Sequence, residues 1–337
     1  MNSKHLLLAS AAILFLAACN KTVTEPVQSQ FPEDGVMRFT TNLVDPTIAT
    51  TRASITGSDV NQNGQQFQVK IVNPTSATYS YFNTVQYDGS EWTPLNRMLW
   101  QNDQQMITVT AAYKQGKTFS DYDFIVGADL TVAADQSTEA LLKQQDLLTM
   151  PTKTIANPSI EETLMQNGKL VINFYHALTK LDVTLDLVNE FYKVDPKLNN
   201  ASDITEFTIK GTNAGYQFNA METANENYGT VTVTASTAAD ILANQCAFTA
   251  ATDADMHSYA TYEAIVVPQQ IAAGALTVSF KIGTRSFSWT NTEAYTLEQG
   301  KHYTLPLTVG HDTVTLNARA FTVTSWENQP GDNLGTE

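Results

Sequence analysis

The chain has 337 residues, 42% of them hydrophobic and 16% charged, with a formal net charge of -15. That apolar content supports a packed core and argues against wholesale disorder, and the length suits two domains of ordinary size. The acidic balance disfavours nucleic acid and anionic lipid surfaces, which are bound through basic patches, and suits an exported surface protein.

At the N-terminus, Lys4 and His5 precede an unbroken run of apolar and small residues from Leu6 to Leu16, followed by Ala17-Ala18-Cys19. A basic start, a short apolar run and small residues before a cut site make a secretory signal rather than a fold element. The run is shorter than the roughly 20 residues of a membrane-spanning helix. Leu16-Ala17-Ala18-Cys19 resembles a bacterial lipobox, so residues 1–18 read as a lipoprotein signal peptide and Cys19 as the lipidated residue. The only other cysteine, Cys246, then has no partner within the fold, and a lone Cys in an apolar stretch reads as a small buried hydrophobe. Residues 19–35, rich in Thr, Pro, Gln, Ser and acids, read as a tether.

Strands dominate from there. Met37, Phe39, Thr41 and Leu43 alternate with period 2 and end at Pro46,. Further strand-like runs cover Gln66–Val72, Thr78–Tyr87, Met106–Tyr113, Lys169–Tyr175, Leu181–Val188, Ile204–Lys210, Thr230–Thr234, Tyr262–Val267, Ala275–Ile282, His302–Val309 and Thr313–Val323, many parted by turn residues such as Asp88-Gly89 and Lys210-Gly211,. Short helices are expected over Gln136–Leu148, with Ser137 as N-cap, and over Ser236–Asn244. Many short strands with few helices argue for an all-β chain of two β-sandwiches with short helical insertions. A parallel sheet would need a helix between successive strands. Met150–Asn167 holds Pro151, Pro158 and no strand pattern, which sets the domains at 36–164 and 165–337.

No nucleophile elbow, zinc-protease helix, phosphate loop or Cys-x-x-Cys motif occurs, so the expectation is a non-enzyme with no catalytic residues, no metal and no cofactor. His176, His257, His302 and His311 are scattered; His176, within Asn173-Phe174-Tyr175-His176-Ala177-Leu178, reads as a packed structural histidine. Asp253-Ala254-Asp255 lacks the further oxygen ligands and turn glycine of a calcium loop and reads as a solvated loop. Trp92, Trp100, Trp289 and Trp326 read as core rather than as a sugar-stacking surface.

Several tracts carry a resemblance. Besides the lipobox they are Tyr87-Asp88-Gly89-Ser90-Glu91-Trp92 with Leu99-Trp100, Val109-Thr110-Ala111-Ala112-Tyr113, Asp146-Leu147-Leu148, Leu170–Leu187 around Phe174-Tyr175-His176-Ala177-Leu178-Thr179-Lys180-Leu181, Ile265-Val266-Val267-Pro268-Gln269-Gln270, Gly300-Lys301-His302-Tyr303 and the closing Ser325-Trp326. In this order and spacing the chain resembles a Bacteroidetes fimbrillin, a subunit of type V pili. The resemblance implies two tandem transthyretin-like β-sandwiches and export to the outer membrane as a lipoprotein. It also implies removal of the N-terminal strand by an Arg-specific protease, and polymerisation when the C-terminal strand of another fimbrial subunit fills the groove left behind. Cell adhesion through a host or bacterial surface ligand is the implied role.

Both halves of such a mechanism have candidates here. Arg52, before Ala53 and flanked by Thr and Ser, follows the first strand and marks a cleavable segment; Arg38 competes but sits inside the strand pattern. Cutting at Arg52–Ala53 would release the strand of Met37, Phe39, Thr41 and Leu43. The donor candidate alternates Val314, Leu316, Ala318 and Ala320, then slips phase to Phe321 and Val323. A one-residue slip swaps faces, so a break near Ala320 and two short strand pieces are expected. The competing readings are a pilus anchor or tip that keeps its lipid, and a glycan-binding surface lipoprotein.

Overall fold

The computed structural model describes residues 31–44, 54–193, 197–223, 227–234, 238–317 and 321–326. Cys19, Arg52, Ala53, Ala318 and Ala320 therefore lie outside the described residues. The chain is all-β. In its first half run β1 (Phe39–Leu43), β2 (Gln66–Asn73), β3 (Ser76–Tyr87), β4 (Trp92–Pro94), β5 (Ile107–Tyr113), β6 (Ala128–Thr131), β7 (Leu148–Ile155), β8 (Met165–Gln166) and β9 (Lys169–His176). The second half holds β10 (Thr179–Leu187), β11 (Ile204–Asn213), β12 (Gly215–Thr223), β13 (Gly229–Val233), β14 (Ala238–Leu242), β15 (Asn244–Thr249), β16 (Ser258–Val266), β17 (Gln269–Ile271), β18 (Thr277–Ile282), β19 (Arg285–Thr290), β20 (Tyr295–Leu297), β21 (Lys301–Val309), β22 (Val314–Leu316) and β23 (Thr322–Ser325).

The first sheet runs β1-β4-β3-β2-β5-β7-β9-β8, and β1 pairs again with β9. That second pairing closes a seven-strand barrel around Phe39, Phe67, Val69, Ile71, Val109, Ile172 and Phe174, all buried. The second half packs the sheet β15-β16-β10-β21, with β22 and β23 on its edge, against β14-β11-β18-β19. Phe207 of β11 stacks on Tyr262 of β16 at 3.7 Å between ring centroids, which fixes the face-to-face packing of these two sheets,. A third sheet, β13-β12-β6, joins the halves, because β6 comes from the first and β12 from the second.

Three elements differ from the sequence reading, each for a physical reason. Met150–Asn167 is not a bare connector: β7 is one of the barrel's strands, between β5 and β9, and Pro151, which has no N–H to donate, falls where the β5–β7 register shifts between Val109 and Ala111,. β8 and β9 pair within the first sheet, next to β7. The expected helix over Ser236–Asn244 is, in its described part, strand β14, with Ala239 and Ile241 turned inward and Asp240 and Leu242 outward. Its pairing to the β11 edge outweighs the weak helical preference of so short a segment,. Over Gln136–Leu148 only a short helix, Glu139–Lys143, forms, capped by Thr138 rather than Ser137, and Leu148 already opens β7.

Candidate functional site

β1 is held unevenly by its two neighbours. Against β9 it runs parallel in unbroken register, Phe39 opposite Leu170 through Leu43 opposite Phe174. Against β4 the ladder is a single pair, Phe39 with Trp92. Met37 and Phe39 point into the barrel and are buried, whereas Thr41 and Leu43 are half-buried. The Phe39 ring meets Phe67 edge-on at 6.1 Å, and Phe67 in turn touches Trp92 at 4.9 Å and Phe174 at 5.5 Å. Thr41 is clamped from the side: its hydroxyl donates to Asn61 Oδ1 (2.9 Å) and accepts from Trp92 Nε1 (3.1 Å). The sequence does not mark Asn61 and Trp92 as partners of Thr41, since no local signal links positions 41, 61 and 92.

The backbone groups that β1 satisfies can be named. Leu170 N–H donates to Arg38 O (2.8 Å), Val44 N–H to Phe174 O (3.0 Å) and Met37 N–H to Met98 O (3.0 Å). Removing β1 would strip partners from Leu170 N–H, Phe174 C=O and Met98 C=O, beside the apolar positions of Met37 and Phe39. An opened edge of that kind is a template for an added strand. Between β1 and β4 a cleft of about 250 Å³ already lies, lined by Met37, Arg38, Trp92 and Pro94 among others. Arg38, the competing basic residue, stands just before β1, where its carbonyl accepts from Leu170 N–H and its guanidinium is paired with Asp34 at 2.6 Å. That pairing holds the Asp34 carboxyl well below the usual carboxylate range. The chain resumes after the segment holding Arg52 and Ala53 at Ser54 and Ile55, both buried.

The C-terminal stretch forms two pieces, both antiparallel to β21. β22 sets Leu316 opposite Leu307, and β23 sets Thr322 opposite Thr304. The two pieces do not share one register on β21. Both pieces therefore lie on the edge of their own sheet, and they lie there loosely: Leu316 is 38% and Val323 54% exposed. Two side chains hold β23. Phe321 stacks on Tyr295 at 4.4 Å, and Trp326, only 2% exposed, lies parallel to the His176 ring at 4.2 Å.

His176 is packed and hydrogen-bonded, as a structural histidine should be. Its Nδ1 lies 2.9 Å from Asp146 Oδ2, and both side chains are fully buried. Asp146 also accepts from the Ile55 N–H (3.3 Å). Nearby, burial pulls the Lys114 ammonium down to about 8, against the charge of Asp146, which pulls it up,.

Residues 51–326 match the family described as fimbrillin-like. The chain belongs to that family. Among solved structures this fimbrillin-like chain is similar to a candidate cell adhesion protein from Bacteroides uniformis, at 17% identity and a TM-score of 0.54 over 88% of this chain and 99% of that one. It is similar also to a second from Bacteroides ovatus, at 15% identity and 0.55 over 87% and 98%. At those identities the likeness is one of fold. A search of curated protein sequences returned no match.

Other features of this fimbrillin read as structure. All four tryptophans are buried, so none offers a sugar-stacking face. The half-buried Cys246 thiol donates to Thr261 O, and burial pushes it up to about 12, far from a reactive thiolate,. Asp253 is paired with Lys193 at 2.7 Å. Among the described residues no group of His, Cys, Asp and Glu is arranged to hold a metal ion.

Proposed function

We propose that this chain is a structural subunit of a type V-like fimbria that supports cell adhesion, exported to the outer membrane as a lipoprotein on Cys19. In this reading an Arg-specific protease cuts at Arg52–Ala53, β1 leaves with the lipid, and the C-terminal strand of another subunit takes its place. The observation that carries the reading is the way β1 closes the barrel: one full parallel ladder on β9, one pair on β4, and two apolar side chains in the core. A strand bound mainly through its backbone and alternate side chains can be replaced by another of the same pattern. The kinship with fimbrial proteins supports a structural, non-enzymatic role at the cell surface.

Of the two C-terminal pieces, only the second carries an aromatic residue followed two positions on by a β-branched one. Phe321-Thr322-Val323 matches Phe39-Thr40-Thr41 in size and alternation. We therefore assign Phe321 to the position of Phe39, opposite Leu170, which sets Thr322 opposite Val171 of the accepting subunit. Val314, Leu316, Ala318 and Ala320 then form the span between subunits. Arg52→Ala subunits should reach the surface, keep their N-terminal strand and lipid, and assemble no pili, as read by N-terminal sequencing and electron microscopy. Pili of normal length from Arg52→Ala cells would overturn the cleavage step.

The resting position of β22 and β23 on their own β21 favours one second reading: a subunit that accepts a strand but donates none, at the tip or the anchor. Retention of the lipidated Cys19 in assembled pili marks the anchor.

A further inference from the structure

Four residues far apart in sequence meet in one buried line. The Ile55 N–H donates to Asp146, Asp146 pairs with His176, and the His176 ring carries the Trp326 indole, with every one of these side chains buried. One end of the line lies three residues beyond Arg52. The other end is the residue that closes β23. The line thus joins the segment next to the proposed cut with the strand proposed as donor.

We propose that this line is a latch through which the N-terminal segment controls release of the C-terminal strand; the inference rests on the strand-exchange reading above. Three observations support it. First, among the described residues β23 pairs only with β21; Thr322, Val323 and Thr324 are exposed, Phe321 stacks on Tyr295 and Tyr303, and Trp326 is its deepest anchor. Second, the line is poorly saturated. His176 Nε2 and Trp326 Nε1 are buried with no hydrogen-bond partner among the described residues, as are Thr149 Oγ1, opposite Tyr175 in the neighbouring ladder, and Tyr216 OH, which lies within reach of the Asp146 charge. Unpaired buried polar atoms make a contact costly to hold and cheap to open. Third, the weakest link stands next to the cut. Ile55 N–H to Asp146 is 3.3 Å, longer than the 2.9 Å from Asp146 to His176.

Intact, the chain holds Ser54 and Ile55 from both sides. Once cut, these become the second and third residues of the subunit, where chain ends fray most readily. Loss of the Ile55 N–H leaves Asp146 and His176 free to shift together, and the parallel face on which Trp326 lies is lost. The consequence is an order of events. Donor release follows the opening of the acceptor groove, so uncut precursors keep both strands docked and do not polymerise in transit.

The test reads amide hydrogen exchange across Thr322–Ser325 in dilute monomer, where no polymer forms, before and after a cut by a sequence-specific protease at a site engineered into residues 48–52. In the wild type, cutting should speed exchange of β23 at least tenfold. In His176→Phe, which keeps a ring under Trp326 but severs the link to Asp146, cutting should leave β23 exchange unchanged. Trp326→Ala, at the end of the described chain, should exchange fast both before and after the cut, and it keeps the test decisive if His176→Phe fails to fold. Equal β23 exchange in cut and uncut wild type would overturn the latch. So would an equal acceleration in wild type and His176→Phe. Because the readout is monomeric, a latch that behaves as stated in subunits that never polymerise would count against strand exchange and not against the latch.

Discussion

A subunit stripped of β1 and given no replacement strand should lose more than about 5 kcal/mol of folding stability. Full burial of a Met or Phe side chain contributes roughly 1.5–3 kcal/mol, and both Met37 and Phe39 are about 1% exposed. The ladder on β9 adds to this, because its loss leaves Leu170 N–H and Phe174 C=O to water on a bare sheet edge,. Whole domains are stable by only about 5–15 kcal/mol, so the stripped barrel stands close to unfolding. Urea unfolding of the cut subunit, with β1 removed and below its assembly concentration, reads the loss. A synthetic peptide of residues 31–44 should restore it as a saturable function of concentration. Phe39→Ala alone should cost about 3–5 kcal/mol, through the cavity left against Phe67,. A stripped subunit that unfolds at the wild-type midpoint would show that β1 only covers the barrel and does not complete it.

The second large effect lies at Asp146. Asp146→Ala should destabilise the subunit by about 3–5 kcal/mol, the scale for removing one partner of a fully buried pair. Three groups lose a partner at once: the His176 Nδ1, the Ile55 N–H and, at longer range, the Lys114 ammonium. The pH dependence should change as well. In the wild type the buried Lys114 gives up its proton near 8, while in the unfolded chain it keeps it to about 10.4,. Across that window the unfolded state binds more protons, so this group makes stability rise with pH. Without Asp146 the folded-state value falls below 8, so Asp146→Ala should recover part of its loss relative to wild type as the pH rises toward about 8, and run parallel to wild type above it,. Chemical unfolding at several pH values measures both effects. A cost below about 1 kcal/mol, or a pH profile parallel to wild type throughout, would show that the pair carries no such weight.

How far these sites could be read in the sequence depends on the range of the contacts that make them. The alternation of Met37, Phe39, Thr41 and Leu43 is local, and a strand forms over Phe39–Leu43 with Met37 and Phe39 buried and Thr41 and Leu43 half-buried. That β1 pairs parallel to β9, some 130 positions on, has no local signature, and neither does the barrel it closes. The phase slip at Ala320–Phe321 is also local; strand pieces β22 and β23 stand on either side of it, while Ala320 itself lies outside the described residues. Their docking on β21 is decided by an edge that local pattern does not reveal. Pro151 read as a breaker because a proline inside a sheet is usually excluded; the register shift opposite it supplies the exception. His176 was legible as a packed histidine from its apolar run. Its partners Asp146 and Trp326 were visible only as members of separate tracts, since residues 55, 146, 176 and 326 meet only in the folded chain.

If the strand of another subunit takes the place of β1, a disulfide between the two subunits should trap it there. Subunits carrying Val171→Cys and Thr322→Cys in a Cys246→Ser background, assembled after cleavage and oxidised, should form a ladder of disulfide-linked oligomers on a denaturing gel. Thr40 stands opposite Val171 in β1, and Thr322 takes its position in the exchanged strand. Thr315→Cys in place of Thr322→Cys should give no ladder. Polymers that form no ladder with Thr322→Cys, or form it equally with Thr315→Cys, would show that Thr322 does not take the place of Thr40 in β1.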